Sequence, residues 1–571
     1  MSALRRARAL ASRLLGVERF GEGAVVLQAL FGLALLVGLG WGLPGTDSWA
    51  ADSISPRSCG LGAIVETYWP GHYHHYPPLH MAILTGWSLP WMALAAARVG
   101  MGRDALAAEI IRPLYMTGIE IGARLITAAM AFGVLRATMV LWTRLAGRRA
   151  GVAAGVAVAV NAVFVFYGHT GNLDVPGVFW LAWMLVELDR VASGEPRELR
   201  AMLCATAAVL TKDQTAAALF LTLPLYLLVV PWFARRASPL RRDLWIAVLV
   251  SAAVYALASG LATNPVGFRL RIAHLFGPAS KPEMHYPGGF VGAIAITHDE
   301  LLWTTDFTSW SVVAAAGAGL VVAAMRGPWT ARARTLLPLV AAVSFCLFFS
   351  FPVRQRDHRY FLPESIFLPA YAALAFEWAW GRWGHGRRWV AAAAAAVLLP
   401  AVIGVVSMDA TLLADPRYEA ERYLARLPAG THVDVVGGPI FLPRIPPALD
   451  AVRPGVEPIG DRQAIAGVLD LVDPGMDPRA RGAAFIVLAT ELSDPAMAKP
   501  GPPGPPFATM QYRDPVSRAF LAKLFGGSLG YTRALRAACA LPWPLSCRSI
   551  HHSTGGEMWI YAKQATVDAE R

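Results

Sequence analysis

Apolar runs long enough to cross a bilayer recur through the first 408 residues of this 571-residue chain, and tight groups of arginine punctuate them. A hydrocarbon core about 30 Å thick needs roughly 20 apolar residues of helix to span it. No water lies within that core to satisfy a loose backbone group, so such runs are read as helices. The composition agrees. Residues are 55% hydrophobic and 16% charged, whereas about a quarter are charged in a soluble globular domain. The net charge of +12 could point to nucleic acid. However, the arginines lie between apolar runs, as the positive-inside rule requires of cytoplasmic loops. They do not gather on one soluble face, so no nucleic-acid partner is expected.

The segment 1–23 carries Arg5, Arg6, Arg8, Arg13 and Arg19, which places it on the cytoplasmic side. The run 24–44 is read as a first span rather than a cleavable signal. Residues 45–118 mix aromatics, His and Pro with moderately apolar stretches. They read as a large external loop whose helices lie in the membrane interface. Beyond it, apolar runs alternate with Arg144, Arg148 and Arg149, then Arg190, Arg197 and Arg200, and so on to Arg382, Arg387 and Arg388. The alternation predicts about eleven spans, with 200–233 split into two short helices that turn outside at Lys212–Asp213. The expected fold is an all-α polytopic membrane domain over 24–408, followed by a small external α/β domain over 409–571. In that domain 433–436, 485–489 and 559–562 read as strands, 416–427 and 515–525 as helices, and 497–506 as a Pro/Gly-rich linker. High Ala, Arg and Gly content suggests a bacterium, hence a cytoplasmic (inner) membrane with the C-terminal domain periplasmic.

Ionisable groups at membrane depth are costly, so each is a candidate for function. Asp47 follows the first run directly in Gly-Thr-Asp-Ser-Trp. A carboxylate there can take a proton from an attacking hydroxyl or cap the next helix. Asp174 opens a span, where it caps the helix or supplies a second carboxylate to the site. Lys212 stands beside Asp213 between two apolar helices, where a salt bridge is the structural alternative. His72, His74 and His75 precede Tyr76-Pro77-Pro78-Leu79. Three histidines in four positions suit either a divalent metal or ordinary loop hydrogen bonding. The run Arg354–Arg359, RQRDHR, falls outside on this topology, where arginines close to spans are disfavoured. An anion at the external surface explains the exception, and phosphate matches arginine best. Cys204 and Cys346 lie in apolar runs and read as core residues. Cys59, Cys539 and Cys547 fall outside, and a Cys539–Cys547 disulfide is expected there.

Asp47, the YPPL at 76–79, the GHTGNLD at 168–174, the LTK at 210–212 and the RYFLP at 359–363 occur in one order. That order resembles the dolichyl-phosphate-mannose protein mannosyltransferase and lipid A aminoarabinose transferase group, within the GT-C glycosyltransferases, over roughly 20–408. The resemblance implies that Asp47 is the catalytic base and that Lys212, Arg356 and Arg359 contact a carrier phosphate. It also implies that Asp174 lines the same cavity. Two positions depart from the pattern. Ser48 stands where the group usually has an acidic residue, and His75-Tyr76 replaces a Glu-Lys of the lipid A enzymes. The second departure bears on acceptor and metal contacts, so His74, His75 and Tyr76 are the candidates there.

The implied reaction is an inverting transfer of a sugar from a polyprenyl-phosphate carrier to a lipid, glycan or protein hydroxyl on the external face. No cofactor is indicated beyond the open alternative of a divalent metal. The rival is a lipid or sugar transporter or flippase, which needs broken helices with polar groups near the midplane, related by a repeat. No repeat is visible.

Overall fold

In the computed structural model of the chain, the described residues are 20–45, 47–50, 53–55, 60–234, 238, 241–277, 286–355, 357–438, 440–458, 465, 467–490, 515–550, 554 and 556–564. The 497–506 linker and Cys59 lie outside them. The chain divides into two units: one takes 1–39, 58–89 and 122–406, the other 40–57, 90–121 and 407–571.

The first unit is helical. Its surface carries large apolar side chains such as Leu30, Leu249, Phe290 and Val321, as a helix facing lipid requires. Among the described residues of the whole chain, four helices are long and apolar enough to cross a membrane. These are Pro78–Val99, Pro113–Ala146, Asp213–Phe233 and Arg387–Leu424. Two bent pairs raise the number to six, short of the eleven that hydropathy predicts. A hydropathy window counts apolar length and does not see where a helix breaks. One break is at Asn161, where Ala162–Gly168 turns 72° from Arg148–Ala159. Asn161 caps the new helix by accepting the Phe164 N–H at 2.9 Å, which satisfies a donor the break would orphan. Its amide also donates to Ser365 O at 3.0 Å. The second break, of 50°, separates Trp329–Thr335 from Leu337–Val353.

Arginines that the sequence places on one side of the membrane do meet. Asp189 is fully buried and accepts from Arg144 Nε at 2.6 Å and Arg334 Nε at 2.7 Å. Arg144 also reaches Glu195 at 2.7 Å, and Arg241 reaches Glu198 at 2.7 Å. A buried carboxylate is tolerable when it is paired and hydrogen-bonded in this way.

The second unit holds a six-stranded sheet, ordered β3-β2-β1-β4-β6-β5. Its strands are β1 His432–Val436, β2 Asp450–Gly455, β3 Val468–Val472, β4 Phe485–Thr490, β5 Tyr531–Ala537 and β6 Glu557–Lys563. The first four run parallel, and β6 and β5 close one side antiparallel. Alternate side chains go to opposite faces. Val433, Val435, Phe485 and Val487 pack with Ala420 and Leu424 of the helix Pro416–Leu424. Ile486 and Leu488 pack with Phe520, Leu521 and Leu524 of Pro515–Phe525. The expected α/β domain is therefore present. The strands and helices read from the sequence are there, with β2, β3 and β5 in addition. These three escape notice because β2 carries Pro454 and Gly455, β3 has Asp470 at its centre, and β5 is interrupted by Arg533 and Arg536. The Cys539–Cys547 disulfide forms as expected. Residues 40–57 and 90–121 also belong to this unit.

Candidate active site

The helix Glu198–Thr211 stops at Lys212, whose backbone is extended (φ −151°, ψ 119°). The Lys212 carbonyl then accepts from the Thr215 amide at 3.1 Å and from Thr215 Oγ1 at 2.8 Å, starting a 3₁₀ turn at Asp213. A helix break is therefore present at Lys212–Asp213, and each of the two side chains has an ion-pair partner elsewhere. Adjacent residues diverge, so each finds a partner on a different helix. Lys212 forms an ion pair with Asp174, and both are largely buried. Asp213 forms one with Arg271 of the helix Pro265–Leu275. Asp174 does not act as the cap of its helix. It is the first helical residue, and its amide donates to Asn172 Oδ1 at 3.1 Å. Gly177 lets this helix approach closely, since a Cβ there would meet Thr215 Cγ2 at 3.0 Å and Lys212 Cβ at 3.4 Å. Two opposite-charge pairs thus sit side by side at a helix break in an apolar unit.

The 354–361 segment carries a second group of cations. Arg354 ends the helix before it in the left-handed region, at φ 57°. Asp357 caps the next 3₁₀ turn by accepting the Arg359 amide at 3.1 Å. Arg359 pairs with Asp357 at 2.9 Å, lies over the Tyr360 ring at 4.9 Å, and donates to the Tyr360 hydroxyl at 3.2 Å. This pairing leaves the Arg359 side chain about one-fifth exposed. His358 stacks on Trp303 at 4.4 Å and reaches Asp306 at 3.2 Å. Arg356 lies outside the described residues.

Among the described residues, the three histidines do not converge as a set of three ligand atoms. His74 Nδ1 lies 2.8 Å from Glu66 Oε2, the His75 ring lies tilted against His274 at 4.6 Å, and His72 meets Trp69 edge-on at 6.4 Å. Asn264 fixes the loop that precedes them. The Asn264 amide donates to the carbonyls of Thr67, Trp69 and His72, and its oxygen caps Pro265–Leu275. Among the described residues, the one group of three His, Cys or carboxylate ligand atoms within 4.8 Å is elsewhere, at Glu300, Cys346 and Glu364. Tyr76 is exposed beside His74, with ring centroids 6.1 Å apart.

Asp47 belongs to the second unit, together with the residues that hold its loop. Trp41 Nε1 donates to Asp415 Oδ2 at 2.8 Å, the Gly42 amide to the Tyr418 hydroxyl at 3.0 Å, and the Gly45 amide to Thr117 Oγ1 at 3.1 Å. Arg417 lies 4.1 Å over the Trp49 ring and pairs with Asp415. Arg444 donates to Pro44 O at 3.1 Å. Asp47 itself accepts the Ser48 amide at 2.9 Å and is partly exposed. A partly exposed carboxylate on a loop pinned on both sides suits a proton acceptor, because its position costs little further ordering.

Sequence reasoning missed Arg271, Asn264 and the residues around Asp47. Arg271 was visible in principle, since Arg269 and Arg271 break the positive-inside rule in the same way as 354–359. Asn264 and Arg417 carry no such mark, because an asparagine before a proline or an arginine in a soluble domain is unremarked.

No family model matches the chain, and neither does any curated protein. Among solved structures it is similar to ArnT from Cupriavidus metallidurans in the apo state, with 15% identity, 94% of this chain and 97% of that one covered, and a TM-score of 0.45. The same protein bound to undecaprenyl phosphate gives the same values. The chain is also similar to the Archaeoglobus fulgidus oligosaccharyltransferase in complex with zinc and sulfate, at 12% identity, 81% and 67% coverage, and a TM-score of 0.42. Likeness at this level assigns no role to any residue.

Proposed function

We propose that this protein is an inverting glycosyltransferase of the bacterial cytoplasmic membrane, working on the external face with the N-terminus cytoplasmic. It moves a sugar from a polyprenyl-phosphate carrier to an acceptor hydroxyl. The observation that carries this is the pairing of Lys212 with Asp174, beside Asp213 and Arg271, at a helix break in an apolar unit. Lys212 and Asp174 stand in the ordered motifs named above. The acceptor hydroxyl attacks the anomeric carbon and gives its proton to the Asp47 carboxylate. The bond from that carbon to the phosphate oxygen breaks, and the polyprenyl phosphate leaves with the electron pair. Phosphate is a competent leaving group, so no general acid is needed. Lys212, Arg356 and Arg359 stabilise its charge, and Asp174 holds Lys212 in place until the anion arrives.

A flippase would use the helix breaks to hold cargo. At the Asn161 break, however, the polar groups are already satisfied by Phe164 and Ser365.

Two variants test the proposal. Asp47→Asn keeps the size and removes the proton acceptor, so turnover of a polyprenyl-phosphate sugar should fall by roughly 10²-fold or more. Near-normal turnover in the purified variant would exclude the role. Arg359→Ala should weaken polyprenyl-phosphate binding by about 10- to 150-fold, the equivalent of roughly 1.5–3 kcal/mol for a charge-assisted contact. Unchanged affinity with lowered thermal stability would reduce Arg359 to its pair with Asp357.

A further inference from the structure

Glu300, Cys346 and Glu364 come from three separate elements of the helical unit: Gly289–Phe307, the π-helical turn Cys346–Ser350, and Leu362–Phe367. One ligand atom from each lies within 4.8 Å of the other two. Glu364 is 95% buried, since only 5% of its surface is accessible. Its Oε1 faces Cys346 Sγ at 3.3 Å and Ser350 Oγ at 3.5 Å. Its Oε2 is buried with no hydrogen-bond partner, and so is Glu300 Oε1. Among the described residues, neither carboxylate pairs with a lysine or arginine.

This differs from other buried carboxylates of the helical unit. Asp189, Asp174 and Glu198 each meet a cation of the protein. Two unpaired carboxyl groups beside a thiol in an apolar setting are costly unless something positive lies between them. We infer that Glu300, Cys346 and Glu364 form a binding site for a Zn²⁺ ion, distinct from the sugar-transfer residues. The thiolate selects a borderline-soft ion over Mg²⁺ or Ca²⁺, which take oxygen ligands alone. Three protein ligands leave the fourth tetrahedral position to a water molecule or to Ser350. Binding releases the thiol proton and any carboxyl proton, which leaves one net negative charge on the occupied site. Bound there, the ion ties the segment carrying Arg359 to two neighbouring helices.

The test uses the full chain, purified in detergent without chelator. Zinc analysis should find about one Zn²⁺ per chain. That zinc should fall to background in both Cys346→Ser and Glu364→Gln, and persist in Cys204→Ser. Should either variant fail to fold, wild-type protein stripped and reloaded with Co²⁺ gives an independent reading. A thiolate-to-cobalt charge-transfer band is expected in the near ultraviolet, and it should survive in Cys204→Ser. Wild-type protein without stoichiometric zinc after incubation with Zn²⁺ would overturn the site. So would a cobalt complex lacking the thiolate band. Either result would leave two carboxyl groups that share a proton.

Discussion

The two units bury charge by the same rule in different surroundings. In the helical unit, Asp189 is enclosed by helices whose outer faces are apolar, and two arginines converge on it. In the sheet unit, Asp434 is equally buried and meets Arg481 at 2.6 Å, with Asp473 on the other side of that arginine. Both are carboxylate–arginine triads. The first sits among helices whose exposed faces are apolar, and the second beside the further charged or polar groups Asp473 and His432, so an uncompensated charge is harder to relieve in the first. The difference teaches that an ion pair in the helical unit carries a larger penalty for losing one partner. An ionisable residue kept there without a protein partner therefore stands out more than it would in the sheet unit.

The largest effect is expected at Asp189. Asp189→Asn leaves two arginines facing a neutral amide and should destabilise the helical unit by about 3–5 kcal/mol. Hydrogen exchange of Asp174–Ala192 against the strands of the sheet would locate the loss. If protection falls equally in both units, or Asp434→Asn costs as much, the contrast is wrong. The disulfide offers a purely chain-entropic counterpart in the sheet unit. Replacing both Cys539 and Cys547 by serine removes a cross-link across eight positions and should cost about 2–3 kcal/mol. Only the sheet unit should lose hydrogen-exchange protection. Gly177→Val tests packing next to Lys212. The added methyl groups meet Thr215 and should cost about 1–3 kcal/mol through overpacking. Turnover should fall further than stability if Lys212 acts on the donor, and in proportion if it does not.

The smallest effect concerns pH. The Arg536 guanidinium, aided by the Trp559 N–H, holds the Glu557 carboxyl below the usual glutamate range. A depressed folded-state value means that this stabilisation is present above about pH 4.5 and is lost as pH falls through the folded value. Glu557→Gln should flatten the acid limb of a thermal-stability profile slightly, since the pair is largely solvent-screened. An unchanged acid limb would remove Glu557 from the contribution.

Hydropathy and charge placement revealed the apolar, helical character of most of the chain and the α/β sheet near its C-terminal end. These follow from local physics: apolar length against bilayer thickness, and arginine position against the membrane side. The same logic exposed Asp47, Asp174, Lys212 and Arg359, because a charged residue beside an apolar run is anomalous in the chain itself. The span count was less legible, since a cap such as Asn161 turns one apolar run into two bent helices.

Apart from the Cys539–Cys547 disulfide, partnership was not legible. That Lys212 takes Asp174 rather than its neighbour Asp213 depends on Gly177 admitting a second helix 35 residues earlier in the chain. The grouping of Asp47 with residues near 415 and 444, and of Cys346 with Glu300 and Glu364, likewise joins positions far apart in sequence. Composition and periodicity act over a few turns of helix, so the sequence by itself determined which residues are exceptional. Packing brings distant turns together, and only the tertiary structure decided which of those residues meet.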